Sequence, residues 1–336
     1  MDDIDAPLSD VRLEIDIDRL VRYLAGTVPE LASAGNLRVK QFSTGTSNPT
    51  YLVWSESQPA NRFVVRRKPM GTLLVGAHQI DREYRVQKAL EHTPVPVAKM
   101  FTFCEDSDIL GSPFYVMGAV PGRVIKGGPV GATGESLSPE DHQLLVQDMN
   151  RVLADLHSVD YRAVGLDGSD GHPAGAYGKT GNPGGYCARQ LKTWGRNWDA
   201  VDDVVQGYMK EPQLTADMGR LRSYLAENMP QHEPTSIVHG DIGFHNVIVH
   251  PTEPRVNAII DWEISTLGHP MIDLNYFCRS IYGPSGGATE WEYYLPPTAA
   301  NHRPLRIEPR TWPHLHEHNL RISQCDLHIP TLILHA

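Results

Sequence analysis

Val238-His239-Gly240-Asp241-Ile242-Gly243-Phe244-His245-Asn246, followed by Ile259-Ile260-Asp261-Trp262-Glu263, is the stretch on which the reading of this chain turns. Asp241 stands five residues before Asn246, and Asp261 follows Asn246 by fifteen. Asn246 opens the β-branched run Val247-Ile248-Val249, and Asp261 closes Val256-Asn257-Ala258-Ile259-Ile260. Between the runs, Pro251-Thr252-Glu253-Pro254 is strong turn punctuation. This pattern predicts a β-hairpin whose antiparallel pairing brings Asn246 and Asp261 to the same open end. A carboxylate and an amide oxygen converging there suit Mg²⁺, which takes hard oxygen ligands and keeps several waters. Asp241 lies just before this end, where a general base would be placed. The layout is that of a phosphoryl-transfer site.

Composition bounds the reading. With 336 residues the chain can hold two domains, each burying its own core. A hydrophobic share of 40% and a charged share of 21% are those of a soluble globular protein. No apolar run approaches the ~18 residues of a membrane span. The acidic start Met1-Asp2-Asp3-Ile4-Asp5 is unlike a signal or transit peptide, so a cytoplasmic location is expected. A net charge of −10 argues against nucleic acid or anionic membrane as partner. Cys104, Cys187, Cys278 and Cys325 form no CxxC pair and read as reduced structural thiols.

The first part of the chain reads as a small sheet with one helix. Arg38 to Phe42, Tyr51 to Trp54 and Phe63 to Lys68 are expected strands, the first two flanking the polar loop Ser43-Thr44-Gly45-Thr46-Ser47-Asn48. A helix is expected from Ile80 to Glu91, with Glu83 on the face of Val86 and Leu90. An inward carboxylate is costly unless a cation meets it. Val64, Arg66 and Lys68 share one side of the preceding strand, so Arg66 and Lys68 are the candidate cations. Pro121-Gly122 marks a junction after the apolar strand Phe114-Tyr115-Val116-Met117. Ser138-Pro139-Glu140-Asp141 then starts a helix with a buried stripe of Leu145, Met149, Val152 and Leu156. Val164 to Tyr186 is Gly-rich and reads as a surface loop near the substrate side. Helical pattern resumes over Cys187–Trp198 and Thr215–Glu227.

These motifs together resemble the aminoglycoside phosphotransferase family, small-molecule relatives of the protein kinases. The likeness is closest to the branch fused to acyl-CoA dehydrogenases in animals. It rests on His239-Gly240-Asp241 with Asn246, Ile260-Asp261-Trp262-Glu263, Phe42-Ser43 through Asn48-Pro49-Thr50, Arg66-Arg67-Lys68-Pro69 and Phe114 to Met117. It runs from about residue 38 to about residue 280. The resemblance implies a two-lobed, kinase-like α+β fold that binds ATP and Mg²⁺ between the lobes. The implied division is an N-lobe over 1–118, a C-lobe over 119–282, and an atypical tail, truncated or poorly ordered, over 283–336.

Roles also follow from the resemblance. Asp241 would orient the acceptor hydroxyl, and Asn246 and Asp261 would hold Mg²⁺ against the phosphates. The loop bearing Ser43, Gly45, Ser47 and Asn48 would cover the phosphates through backbone N–H groups. Arg66 stands at the position of the kinase strand lysine, with Glu83 as its helix partner and Lys68 in reserve. Met117 to Ala119 would form the adenine-binding hinge. The expected reaction is γ-phosphoryl transfer to a hydroxylated small molecule, with a hydroxyacyl-CoA as one candidate. His157 and His239 are expected to be structural.

Two other readings use the same residues. His239, Asp241 and His245 form H-x-D-x3-H, a fragment of a transition-metal hydrolase site that His250 or His269 would complete. A pseudokinase or nucleotide-binding module would accommodate three departures from the family. Gly118 stands where an acidic residue is usual, and His269 where Asp is common. The tail from Pro296-Pro297 to Trp312-Pro313-His314-Leu315-His316 lacks sustained helical period.

Overall fold

Two successive strands of the N-terminal half, Thr50–Ser55 and Arg62–Arg67, are buried through their centres on both faces, which demands a covering layer on each side. The computed structural model describes residues 4–5, 7–11, 15–32, 36–43, 48–69, 80–125, 137–172, 175, 177–178, 185–209, 212–230 and 233–282. In chain order its first half comprises β1 (Ile4–Asp5), β2 (Leu8–Ser9), α1 (Ile17–Thr27), β3 (Leu37–Phe42), β4 (Thr50–Ser55), β5 (Arg62–Arg67), α2 (Ile80–Leu90), β6 (Met100–Cys104), α3 (Ser107–Leu110), β7 (Phe114–Gly118) and β8 (Gly122–Arg123). Strands β2-β3-β4-β5-β7-β6 form one antiparallel sheet in that order.

Period-two alternation assigns the faces of β5. Phe63 and Val65 pack with Tyr51, Val53, Phe114 and Val116 against Leu20 and Leu24 of α1. Each of those leucines is fully buried, a contribution of ~2 kcal/mol apiece. Arg67 is also fully buried, and its Nη1 donates to the Leu110 carbonyl. Arg66 is oriented the other way, toward α2. That helix joins two cores: Ile80 and Tyr84 pack on Met100 and Tyr115 of the sheet, whereas Val86 and Leu90 enter the larger cluster of the second half.

The second half comprises α4 (Pro139–Ser158), α5 (Gly185–Met209), α6 (Pro212–Glu227), β9 (Ser236–Val238), β10 (Val247–Val249), β11 (Val256–Ile259), β12 (Thr266–Gly268) and α7 (Met271–Tyr282). Ser138 caps α4 by accepting the Asp141 N–H at 3.0 Å, and Leu145, Met149, Val152 and Leu156 are completely buried as the stripe predicts. Strands β10 and β11 form the expected antiparallel hairpin, Val247 opposite Ile259. The hairpin is extended by β8 and β1, and β9 pairs with β12. Helix α5 runs eleven residues past the expected end at Trp198, and α6 starts at Pro212, ahead of Thr215.

The described part of the Gly-rich stretch is not a free surface loop. It packs inward, with Leu166 and Tyr177 buried and the Tyr177 N–H bonded to the Leu166 carbonyl. Gly45, Ser47, Cys325 and the whole segment 283–336 lie outside the described residues. Cys104, Cys187 and Cys278 are free thiols. Among the described residues no helix is long and apolar enough to cross a membrane.

Candidate active site

Strand β9 delivers the chain into His239-Gly240-Asp241, and the turn there is held by a carboxylate from far along the sequence. Gly240 has φ +89°, a conformation that L side chains rarely adopt, and an added Cβ would press on Ile264 at 3.2 Å. Asp273, fully buried on α7, accepts the His239 N–H and the Gly240 N–H at 2.8 Å each. Its Oδ2 also lies 3.1 Å from His157 Nε2 at the end of α4. The turn is therefore fixed from behind by charge-assisted hydrogen bonds.

His239 is structural. Its Nε2 donates to the Ile260 carbonyl at 2.9 Å, while Nδ1 accepts the Asp241 N–H at 3.3 Å. Those two bonds define one neutral tautomer, and burial lowers the affinity of the ring for a second proton. With both nitrogens engaged the ring cannot ligate a metal, which removes the hydrolase reading. His250 and His269 direct their Nδ1 atoms at nearby backbone N–H groups instead, His269 to Met271 at the start of α7.

Asp241 is held by its neighbours in the loop. Asn246 Nδ2 donates to the Asp241 carbonyl at 2.8 Å and to its Oδ2 at 3.1 Å. His245 Nε2 stands 3.6 Å from the same oxygen. Burial pushes this carboxyl up, but His245, His239 and Asn246 outweigh it and hold the group below its ordinary range. An ionised carboxylate with one oxygen fixed leaves the other to accept a proton.

The hairpin end forms as expected. The Ile260 N–H donates to the Asn246 carbonyl at 2.9 Å, which places Asp261 beside Asn246. Among the described residues Asp261 is the one non-glycine with left-handed φ, +67°. Such backbone strain clusters at functional sites. Its carboxylate receives Arg66 Nη2 at 2.6 Å, and the same guanidinium contacts Glu83 through Nε at 3.0 Å and Nη2 at 3.1 Å. Arg66, not Lys68, is the cation that meets Glu83. Burial opposes the charge on Arg66, but Tyr115, Glu83 and Asp261 raise its pKa above the ordinary value.

Glu83 is almost wholly enclosed. Tyr115 donates its hydroxyl to Oε2 at 2.7 Å, and Asn48 Nδ2 lies 3.4 Å from Oε1. Burial pushes the carboxyl up to about 7, against the opposing pull of Arg66 and Tyr115. Asn48 thus turns its side chain inward to the helix. Ser43 anchors the other end of its loop, its N–H bonded to the Pro7 carbonyl at 2.9 Å. At the expected hinge, the Gly118 N–H is bonded to Lys99 and the Ala119 N–H to Arg62, both to carbonyls. The amides of Met117-Gly118-Ala119 are thus partly committed. A Cβ at Gly118 would meet only ordinary contacts, from 3.7 Å, so nothing steric demands glycine there.

Three participants were not assigned from sequence: Tyr115, Asp273 and Glu263. Glu263, Glu83 and Asp261 bring ligand oxygens within 4.8 Å of one another. Period two would have found Tyr115, since it alternates with Phe114 and Val116 and so faces α2. Hard oxygens of Asp261 and of the Asn246 side chain, whose nitrogen is already used on Asp241, fit a Mg²⁺ donor set.

A family model described as "Phosphotransferase enzyme family" matches residues 38–306. The mouse (Mus musculus) protein acyl-CoA dehydrogenase family member 10 is 37% identical over 273 residues, covering 81% of this chain and 23% of that protein. The chain spans about a quarter to a third of the length of the curated relatives it matches. A solved structure of a candidate aminoglycoside phosphotransferase from Ralstonia eutropha superposes with TM-score 0.63 at 37% identity, covering 85% of this chain and 78% of that one. The GDP complex of aminoglycoside 2'-phosphotransferase-IIIa, at 16% identity and TM-score 0.54, covers 78% and 77% and shares the fold. The architecture is α+β and kinase-like. The chain belongs to the phosphotransferase enzyme family.

Proposed function

We propose that this chain transfers the γ-phosphoryl group of ATP to a hydroxyl of a small molecule. The observation that carries the reading is the convergence of Asp241, Asn246 and Asp261 at one hairpin end, with Arg66 bridging Asp261 to Glu83. The family membership and the GDP held by a protein of the same fold support a nucleotide at this place. We assign the N-lobe to residues 1–118, the C-lobe to 119–282 and the tail to 283–336.

Asp241 orients the acceptor hydroxyl and takes its proton as the hydroxyl oxygen bonds the γ-phosphorus and ADP leaves with the bridging oxygen. Asn246 and Asp261 would hold Mg²⁺, which would neutralise charge on the phosphate oxygens. Arg66 would contact the phosphates, steadied by Glu83, and the loop bearing Ser43, Gly45, Ser47 and Asn48 would cover them. Met117 to Ala119 would flank the adenine. The relatives' dehydrogenase names favour a hydroxyacyl-CoA as acceptor over an antibiotic.

The test is a screen of hydroxylated metabolites with γ-labelled ATP. Asp241→Ala should lower transfer by about 10²- to 10⁴-fold and leave Mg²⁺–ATP affinity unchanged. Asp261→Ala should abolish most of the rise in melting temperature that Mg²⁺–ATP produces through a stabilisation of ~2.7 kcal/mol at a hundredfold excess over Kd. Normal turnover in the first variant excludes Asp241 as the base. An undiminished shift in the second excludes Asp261 as the ligand.

A further inference from the structure

We propose that Arg85 and Asp170 are positioning residues: they clamp α2 to the Gly-rich segment of the second half and so hold Glu83 against Arg66. The inference rests on the nucleotide-site reading above.

Arg85 is only 8% exposed although it carries a charge, and α2 directs it away from the sheet. Its Nη1 donates to the Gly175 carbonyl at 2.6 Å. Nη2 contacts the Gly165 carbonyl at 3.3 Å and both oxygens of Asp170, at 3.1 and 3.2 Å. Gly165 has φ +79°, and a Cβ there would stand 3.1 Å from the Asp170 Cβ, so glycine permits this close approach. One turn earlier, Arg82 donates to the Ser265 carbonyl at 3.0 Å and lies 4.6 Å over the Tyr177 ring. Ser265 Oγ in turn donates to the Val238 carbonyl at 2.7 Å, next to His239.

Glu83 sits between these two arginines in the sequence and faces the site. The position of α2 therefore sets whether Arg66 is shared between Glu83 and Asp261 or is left to Asp261 alone. On the sheet side α2 packs through Ile80 and Tyr84, and its polar contacts there include those of Glu83 with Arg66 and Tyr115 and of Lys88 Nζ with the Met100 carbonyl at 3.0 Å. A forked guanidinium on two carbonyls and a carboxylate fixes both depth and rotation. Arg85 touches none of the reacting groups, so its effect passes through Glu83 and should appear in nucleotide binding.

The experiment is calorimetry of Mg²⁺–ATP binding to the wild-type chain, Arg85→Gln and Asp170→Asn. Hydrogen exchange over residues 80–90 is followed in the nucleotide-free proteins. Expected are a loss of nucleotide affinity of about tenfold or more in Arg85→Gln, a smaller loss in Asp170→Asn, and faster exchange of α2 in both. Asp170 is about a third exposed, so Asp170→Asn keeps the test valid if Arg85→Gln fails to fold. A lowered melting temperature with unchanged nucleotide affinity overturns the clamp and leaves the site reading intact. A wild-type chain that binds no nucleotide overturns the site reading and the clamp with it.

Discussion

The two halves of the candidate site are built on different length scales. Asp241 is restrained by Asn246 and His245, five and four residues away, within a single turn. Asp261 is bound instead by Arg66, 195 residues earlier, and Arg66 depends on Glu83 across a helix and a strand. The first arrangement is a property of the loop. The second exists only when β5, α2 and the hairpin are docked together. Asp241, the proposed base, should thus tolerate displacement of α2, whereas Arg66, the proposed phosphate-facing cation, should not.

The largest effect is expected where a distant carboxylate supports the local half. Asp273→Ala would strip partners from the buried His239 and Gly240 N–H groups and from His157. Loss of one partner of such a buried charged network costs ~3–5 kcal/mol. Urea denaturation should show that drop, and a cost below ~1 kcal/mol would mean that the loop holds its turn unaided. Arg66→Ala provides the contrast: the loop and its bonds remain, and nucleotide binding is what weakens.

The same division explains what the sequence made legible. The hairpin and the placement of Asn246 and Asp261 could be read because turn chemistry and strand alternation act over a few residues. Glu83 facing inward was also readable, since its three- and seven-residue spacing to Val86 and Leu90 is local. The bridge from Arg66 to Asp261 was not, because no period links residues in separate elements. Nor could Asp273 be placed behind Gly240, 33 residues away in a separate element. The Gly-rich stretch misled for a related reason: its composition signals a surface loop, while its anchor, Arg85, lies in another element.

Glu83 offers a pH test of the long-range half. Its folded carboxyl titrates at about 7, above the ordinary 4.5, so the folded state binds this proton more tightly than the unfolded state. The stability it contributes is therefore complete below pH 4.5 and is lost as pH rises through 7. A shift of that size corresponds to ~3 kcal/mol at most. Glu83→Gln should flatten the stability profile between these pH values, as followed by thermal melts. An unchanged slope would assign that proton to another group. Nucleotide affinity should move oppositely, rising with pH as the ionised Glu83 steadies Arg66.

The local half responds in the opposite sense and more weakly. Asp241 titrates below its ordinary value because His245, His239 and Asn246 outweigh burial. A depressed carboxylate is active above its folded pKa and fails as pH falls through it. His245→Ala removes the largest of those supports and should move the acid limb of the kcat/KM profile upward. The pair is about half exposed on both sides, so water screens it, and the rate at neutral pH should change by less than about fivefold. His245→Gln retains a donor near the Asp241 oxygen and should recover part of the shift. If both variants keep the wild-type acid limb, Asn246 and His239 set the ionisation of Asp241 without His245, and the local half is smaller than the loop that carries it.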